Sequence, residues 1–289
     1  MKDIINHVAF LNPHGNFDSS NCCWGEHPDF NGQLVYVKEI AKTLADMGIN
    51  VDIITRKIDD PDWPDFSQLY DSYPDCSNLR IIRLPFGGSK FLPKEKLWPH
   101  IKEYADCISE FYDEEGSFPD FFTAHYADGG LAGVLLKEKM DTPFSFTAHS
   151  LAAQEIDKLA SKKHSFIEAV QLNNFHCRIT AEKLALKYCS QIIVSSEKER
   201  FKEYAHPYYN DIIDIDDDSK FSLLPPESSN KIYDLKTLNK IASAYLNAMK
   251  KGISKRVSIE DAKIPPYFYL PDSDNEKKLL ERFKSEIKI

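Results

Sequence analysis

The chain predicts an α/β protein built on a doubly wound parallel sheet, and three observations predict it. Short apolar runs of strand length alternate with amphipathic stretches of helix length along the 289 residues. The segments between successive strands are long enough for crossover helices, which parallel pairing needs. Hydrophobic residues make up 42% of the chain, sufficient for a sheet covered on both faces.

The elements follow in order. Residues 4–11 form an apolar strand that runs into the loop Asn12-Pro13-His14-Gly15-Asn16-Phe17. After Glu26-His27-Pro28-Asp29-Phe30, the turn Asn31-Gly32-Gln33 opens a helix over 33–47. Its Leu34, Val37, Ile40, Leu44 and Met47 share one helical face, and Gly48 stands at the C-cap. Strand 51–55 comes next, and a polar loop with Pro61, Trp63 and Pro64 leads to strand 79–84. Helix 96–115, strand 121–124, helix 129–139 with Asp128 as N-cap, and strand 144–147 follow. Helical stretches fill most of 151–188, and strand 191–194, helix 197–204 and strand 221–224 complete the series. Beyond Pro225-Pro226 the pattern changes to a lysine-rich amphipathic helix over 233–251, a strand over 265–270 and a helix over 276–287. The expected division is a Rossmann-like domain over 1–230 and, over 231–289, a linker helix with the start of a second domain.

Composition removes several function classes. The formal net charge is −9, with lysine and arginine dispersed, which argues against a nucleic-acid surface. No apolar run approaches the roughly 18 residues of a membrane span. The first residues, Met1-Lys2-Asp3-Ile4-Ile5-Asn6, lack the apolar core of a signal peptide, so a soluble cytoplasmic protein is expected. The six cysteines (22, 23, 76, 107, 177 and 189) include no Cys-x-x-Cys pair, arguing against a zinc site or a disulfide framework. Five aspartates crowd 211–218 without the glycine and terminal glutamate of a calcium loop, and read as a solvated acidic loop.

Chemistry is expected where strand ends meet helix N-termini, because unpaired N–H groups gather there. Three such loops converge on one rim: Asn31-Gly32-Gln33, His125-Tyr126-Ala127-Asp128-Gly129-Gly130, and Ala148-His149-Ser150. Gly32 either shapes a turn or lets a ligand approach the backbone. The glycines after Asp128 either pack a helix on the sheet or line a site. His149 follows a buried strand directly, where an imidazole can bond a ligand hydroxyl or support developing charge. The remaining histidines form no metal-ligand spacing.

Together these segments resemble the acceptor-side domain of retaining GT-B glycosyltransferases of the sucrose-phosphate synthase type. The resemblance covers about residues 6–226. It is carried by Asn12-Pro13, Glu26-His27-Pro28-Asp29-Phe30, Val51-Asp52-Ile53-Ile54-Thr55-Arg56, Pro85-Phe86-Gly87-Gly88, Phe91-Leu92-Pro93-Lys94-Glu95, Asp128-Gly129-Gly130-Leu131-Ala132-Gly133 and Glu199-Arg200-Phe201. It implies the Rossmann-like N-terminal half of a GT-B fold, facing a second domain that binds UDP-glucose. It implies that Gly32, Gln33, Lys94 and Arg178 touch the acceptor, fructose 6-phosphate, and that His149 is the catalytic-site histidine beside the transferred glucose. On its own, each of Lys94 and Arg178 would read as a solvated surface charge. The resemblance implies no metal and no tightly held cofactor; UDP-glucose is the co-substrate of the complete enzyme.

The chain departs from the pattern at four places. Asn31 and Ala148 replace family glycines, and Glu155 stands six residues after His149 where the family has a phosphate-binding lysine. In the donor region Lys278 keeps its place, while Ser273 stands where an arginine is expected. Two unit charges about 4 Å apart interact by roughly 4 kcal/mol at an effective dielectric near 20, so Glu155 opposes a phosphate unless Lys158 or Lys162 compensates. Unphosphorylated fructose, as in sucrose synthase, is therefore an alternative acceptor. No transfer is expected from this chain alone; the partner is a separate donor domain or an intact family member. A non-catalytic sugar-phosphate-binding or regulatory role is the second reading.

Overall fold

A computed structural model describes residues 4–30, 32–160, 174–224, 235–255, 257–259, 262–265 and 268. Its strands are β1 (His7–Leu11), β2 (Asn50–Arg56), β3 (Tyr70–Asp71), β4 (Leu79–Leu84), β5 (Phe121–His125), β6 (Phe144–Thr147), β7 (Gln191–Val194) and β8 (Phe221–Leu223). They form one sheet in the order β3-β4-β2-β1-β5-β6-β7-β8. Every pairing is parallel except that of β3 with β4. From β1 the chain goes outward to β2 on one side and later to β5 on the other. The order therefore reverses at β1, and in open α/β sheets a crevice opens at such a point.

Among the described residues the α-helices are α1 (Gly32–Asp46), α2 (Ile101–Glu115), α3 (Tyr126–Met140), α4 (Ala152–Ala160), α5 (Phe175–Tyr188) and α6 (Leu235–Ser254). They cover both faces of the sheet, which is why its strands read as continuous apolar runs. Alternation along each strand feeds two cores. Leu11, Ile54, Phe122 and Phe146 pack with Tyr104, Leu131 and Ala185 of α2, α3 and α5. Phe10, Ile53 and Phe121 pack with Val37, Ile40, Tyr245 and Met249 of α1 and α6. Helix α6 thus belongs to the same packed unit as the sheet, and its Tyr245 hydroxyl lies 3.0 Å from Thr147 Oγ1. Among the described residues no helix is long and apolar enough to cross a membrane.

Several expected elements are corrected. The first strand begins at His7. The helix expected over 96–115 begins only at Ile101, after the 3₁₀ turns Lys94–Lys96 and Trp98–His100, the second of which carries Pro99. Proline offers no N–H to an α-helix already under way, so the α-helix starts after it. The helix expected from 129 starts at Tyr126, which makes His125 the N-cap and Asp128 a first-turn residue. The helix expected over 197–204 is a π-helical turn, Glu199–Glu203. Strand β3 was not anticipated; two antiparallel residues at a sheet edge are too few to show a period, and so short a strand leaves little unpaired edge. Most of the strand expected over 265–270, the helix over 276–287, Asn31, Lys162, Ser273 and Lys278 lie outside the described residues.

Helix α3 packs on the sheet through bare glycines. A Cβ on Gly129 would sit 2.7 Å from the Leu11 carbonyl oxygen, and one on Gly133 would sit 2.7 Å from the Phe144 ring. The backbone carbonyl cannot yield, so Gly129→Ala should destabilise the fold by about 1–3 kcal/mol, read from the urea midpoint. A Cβ on Gly32 would meet nothing within 4 Å. Gly32→Ala should accordingly leave the midpoint within about 1 kcal/mol of the parent.

Candidate functional site

Parallel register brings the ends of β1, β5 and β6 to one rim, with Leu11 beside Ala124 and His125 beside Thr147. On the β1 side, Gln33 is buried and its Nε2 donates to Asn12 Oδ1 at 3.2 Å. Gly32 is exposed at the start of α1. The crevice between the β1 loop and α3 is bridged by His14 Nδ1 and Asp128 Oδ2, 2.6 Å apart and both buried. Asp128 Oδ1 also accepts from the Gly129 N–H at 2.8 Å, which ties the loop to the first turn of α3.

Two histidines meet at the next pair of strand ends. His149 is half-buried, with φ +59°, and its Nε2 lies 2.9 Å from His125 Nδ1. His125 is fully buried, stacks on Phe10 with centroids 5.5 Å apart, and places Nε2 2.8 Å from Thr123 Oγ1. Burial, and next the neighbouring His149, hold the His125 pKa well below 6.5. A neutral imidazole carries one N–H, so its two bonds run in a single sense, either from Thr123 toward His149 or the reverse. His149 also meets the edge of the Tyr36 ring at 5.5 Å. A cavity of about 210 Å³ opens there, lined by Tyr36, Thr147, His149, Ser195, Glu199 and Leu224. Glu199 accepts from the Ser195 N–H and hydroxyl, both at 2.8 Å, while burial raises its pKa.

The residue after His125 gathers the cations. Tyr126 has φ +63°, a strained value for a bulky side chain, and its ring meets two cations. The Arg178 guanidinium lies 4.4 Å from the ring centroid and the Lys94 ammonium 5.4 Å from it. Both distances fall within cation–π range. Lys94 sits in a 3₁₀ turn anchored twice. Its N–H donates to Asp29 Oδ2 at 3.1 Å, and Asn174 Nδ2, just before α5, donates to the Glu95 carbonyl at 2.7 Å.

Arg178 is 4% exposed and bonded on every nitrogen. Its Nε donates to Glu182 at 3.2 Å, its Nη2 to the Ser150 carbonyl at 2.8 Å and hydroxyl at 3.0 Å, and its Nη1 lies 2.8 Å from Glu155. Burial alone would lower the guanidinium pKa, but Glu182, Tyr126 and Glu155 raise it above its ordinary value. Glu182 in turn accepts from the Ala152 N–H at the start of α4 and from the Tyr209 hydroxyl. Because Ser150 follows His149 and Tyr126 follows His125, the structure joins His149, Arg178 and Lys94 in one continuous cluster. Lys278 falls outside the described residues.

His125 and Tyr126 stood in one of the expected rim loops without a role of their own, and Glu182 was not expected at all. The spacing of Glu182, four residues after Arg178 on one helix, is the signal that pairs them. Nothing local marks Tyr126, whose importance lies in its backbone angle. Among the described residues no group of three or more His, Cys, Asp or Glu side chains is placed to hold a metal ion.

The buried imidazole has a pH consequence. Unfolding releases His125 to a pKa near 6.5, so below about that pH the unfolded chain binds more protons than the folded one. Stability contributed by neutral His125 should therefore fall from about pH 7 to about pH 5. Urea midpoints for the wild type and His125→Asn across that range should converge toward acid, because the variant lacks this term. Parallel curves would show that His125 is not held neutral.

A family model described as sucrose synthase first GT-B domain matches residues 2–238. A probable sucrose-phosphate synthase of Thermosipho melanesiensis is 49% identical over 226 residues, covering 78% of this chain and 52% of that protein. Mannosylfructose-phosphate synthase of Agrobacterium fabrum is 31% identical over 195 residues, covering 65% of this chain and 40% of that protein. The chain thus spans about half the length of the first relative and less of the second. Sucrose-phosphate synthase from Thermosynechococcus elongatus shares the fold, with a TM-score of 0.59 at 22% identity, over 76% of this chain and 48% of that one. With the family model covering most of its length, this chain belongs to the sucrose synthase first GT-B domain family, as an N-terminal domain of the sucrose-phosphate-synthase-like type.

Proposed function

We propose that the rim built by β1, β5 and β6 binds the sugar acceptor of a retaining glucosyl transfer from UDP-glucose, the acceptor being a fructose unit. One observation carries this reading: two cations and an aromatic face, Lys94, Arg178 and Tyr126, adjoin His149 at the topological switch of a parallel sheet. An aromatic face and fixed hydrogen-bonding groups suit a polyhydroxylated ring, and the names of the two relatives concern sugar-phosphate synthesis. Gly32 and Gln33 would approach the acceptor from the α1 side, where a Cβ on Gly32 would find open space.

His149 would face the transferred glucose. Its link to buried, neutral His125 fixes the ring and limits which nitrogen carries the proton. A preset imidazole donates to, or accepts from, a sugar hydroxyl without reorganising as charge develops at the anomeric carbon. The leaving diphosphate needs cations of its own, which we assign to a donor-binding domain facing this rim, in the same polypeptide or in a partner. No metal or resident cofactor enters the reading.

The test is calorimetric titration of the protein with fructose and fructose 6-phosphate. Saturable binding of at least one sugar is expected, and His149→Ala or Tyr126→Ala should weaken it about tenfold while the thermal transition persists. Residues 1–289 supplied with UDP-glucose and either sugar should release no UDP above background. A folded protein that binds neither sugar would end the acceptor reading, and sustained UDP release would end the assignment of donor binding to another domain.

A further inference from the structure

We propose that Glu155 is a charge filter at this rim: its carboxylate occupies the place on Arg178 that a sugar phosphate would take, so the preferred acceptor is the unphosphorylated hexose. The inference rests on the acceptor reading above and narrows its ligand class. A phosphate is best gripped by the paired N–H fork of an arginine. Here that fork is already spent. Nη1 faces Glu155 at 2.8 Å, Nη2 donates to Ser150, and Nε donates to Glu182. Tyr126 covers a face of the guanidinium at 4.4 Å.

The two carboxylates on Arg178 differ in kind. Glu182 is 1% exposed and also holds the N-terminus of α4 and the Tyr209 hydroxyl, so it cannot leave. Glu155 is 39% exposed, in the first turn of α4, and receives a 3.1 Å bond from the Ser150 hydroxyl. An incoming phosphate must displace Glu155. The displaced carboxylate stays tethered to the same helical turn, within a few ångströms of the new dianion. Formal charges agree among the described residues in contact here: the two cations on the Tyr126 ring, Arg178 and Lys94, are matched by the two carboxylates on Arg178, Glu155 and Glu182. A neutral hexose incurs none of this. It can lie on the aromatic face and use Ser150 and His149 as hydrogen-bond partners.

The alternative is that Glu155 merely favours the positive end of α4 and swings aside without cost. Glu155→Gln separates the two, since it keeps the shape and removes the charge; Glu155→Ala serves as a second variant should the amide rearrange. Fructose, fructose 6-phosphate and inorganic phosphate are titrated into each folded protein. The wild type should bind fructose at least as tightly as fructose 6-phosphate. The variants should bind inorganic phosphate and fructose 6-phosphate at least tenfold more tightly than the wild type, with fructose unchanged within about threefold for Glu155→Gln. A wild-type preference of tenfold or more for fructose 6-phosphate, or variants that leave both anions unchanged, would overturn the inference alone. A folded wild type that binds neither sugar would overturn the acceptor reading and the inference with it.

Discussion

The rim depends on one constraint, the parallel register of β1, β5 and β6. In a parallel sheet all carboxyl ends point the same way, and each strand must hand its chain to a helix that returns across the face. With His125 opposite Thr147, the last residue of β5 and His149 just past β6 become neighbours although they are 24 positions apart. A slip of one residue would turn both side-chain sets to opposite faces and separate the histidines. Burial of both faces prevents that slip: Phe122 and Phe146 must stay with α3 and α5, and Phe121 with α6. The site geometry is thus a by-product of core packing.

The buried charge beside the rim obeys a different rule. Withdrawing a guanidinium from water is expensive, and paired carboxylates restore that cost only when the remaining donors are also satisfied. Arg178 meets the condition through Ser150 and through the Tyr126 face. Burial raises the pKa of Glu182 while Arg178 and Tyr209 pull it down, so the pair and the Tyr209 hydroxyl form one unit. That unit joins five segments: the start of α3, the turn after β6, the start of α4, the middle of α5 and the turn that carries Tyr209. Breaking a buried pair of this kind typically costs about 3–5 kcal/mol.

The sequence made much of this fold legible. Strands 79–84, 144–147 and 191–194 have the bounds expected of them: Pro85 closes the first, Pro143 precedes the second, and Ser190 and Ser195 flank the third. Helix ends were harder to read: Pro99 displaced the start of α2, and Tyr126 entered α3 three residues early through a left-handed angle that no side-chain pattern encodes. At the site, His149 was readable from its place after a buried strand, whereas Lys94 and Arg178 were visible only through family resemblance. The link from Glu155 to Arg178 was invisible. Glu155 lies in the first turn of α4 and Arg178 in α5, and nothing in their spacing announces that the two helices bring them within 2.8 Å.

Strain at Tyr126 and His149 belongs to the same design. Each occupies a left-handed backbone region just past a strand end, at a cost of order 1–3 kcal/mol. Such angles persist only where the surroundings over-determine them. Around Tyr126 the Arg178 cation and the edge of His14, 5.0 Å away, leave the ring little freedom, and His149 is held by His125 and Tyr36. The connection from β5 to α3 contains no intervening residue, and only 148–151 separate β6 from α4. Groups carried on such short connections stand on the rigid scaffold itself and lose little conformational entropy when a ligand arrives. The strain therefore has a physical return: it carries both side chains off the path of the strands and holds them at the rim.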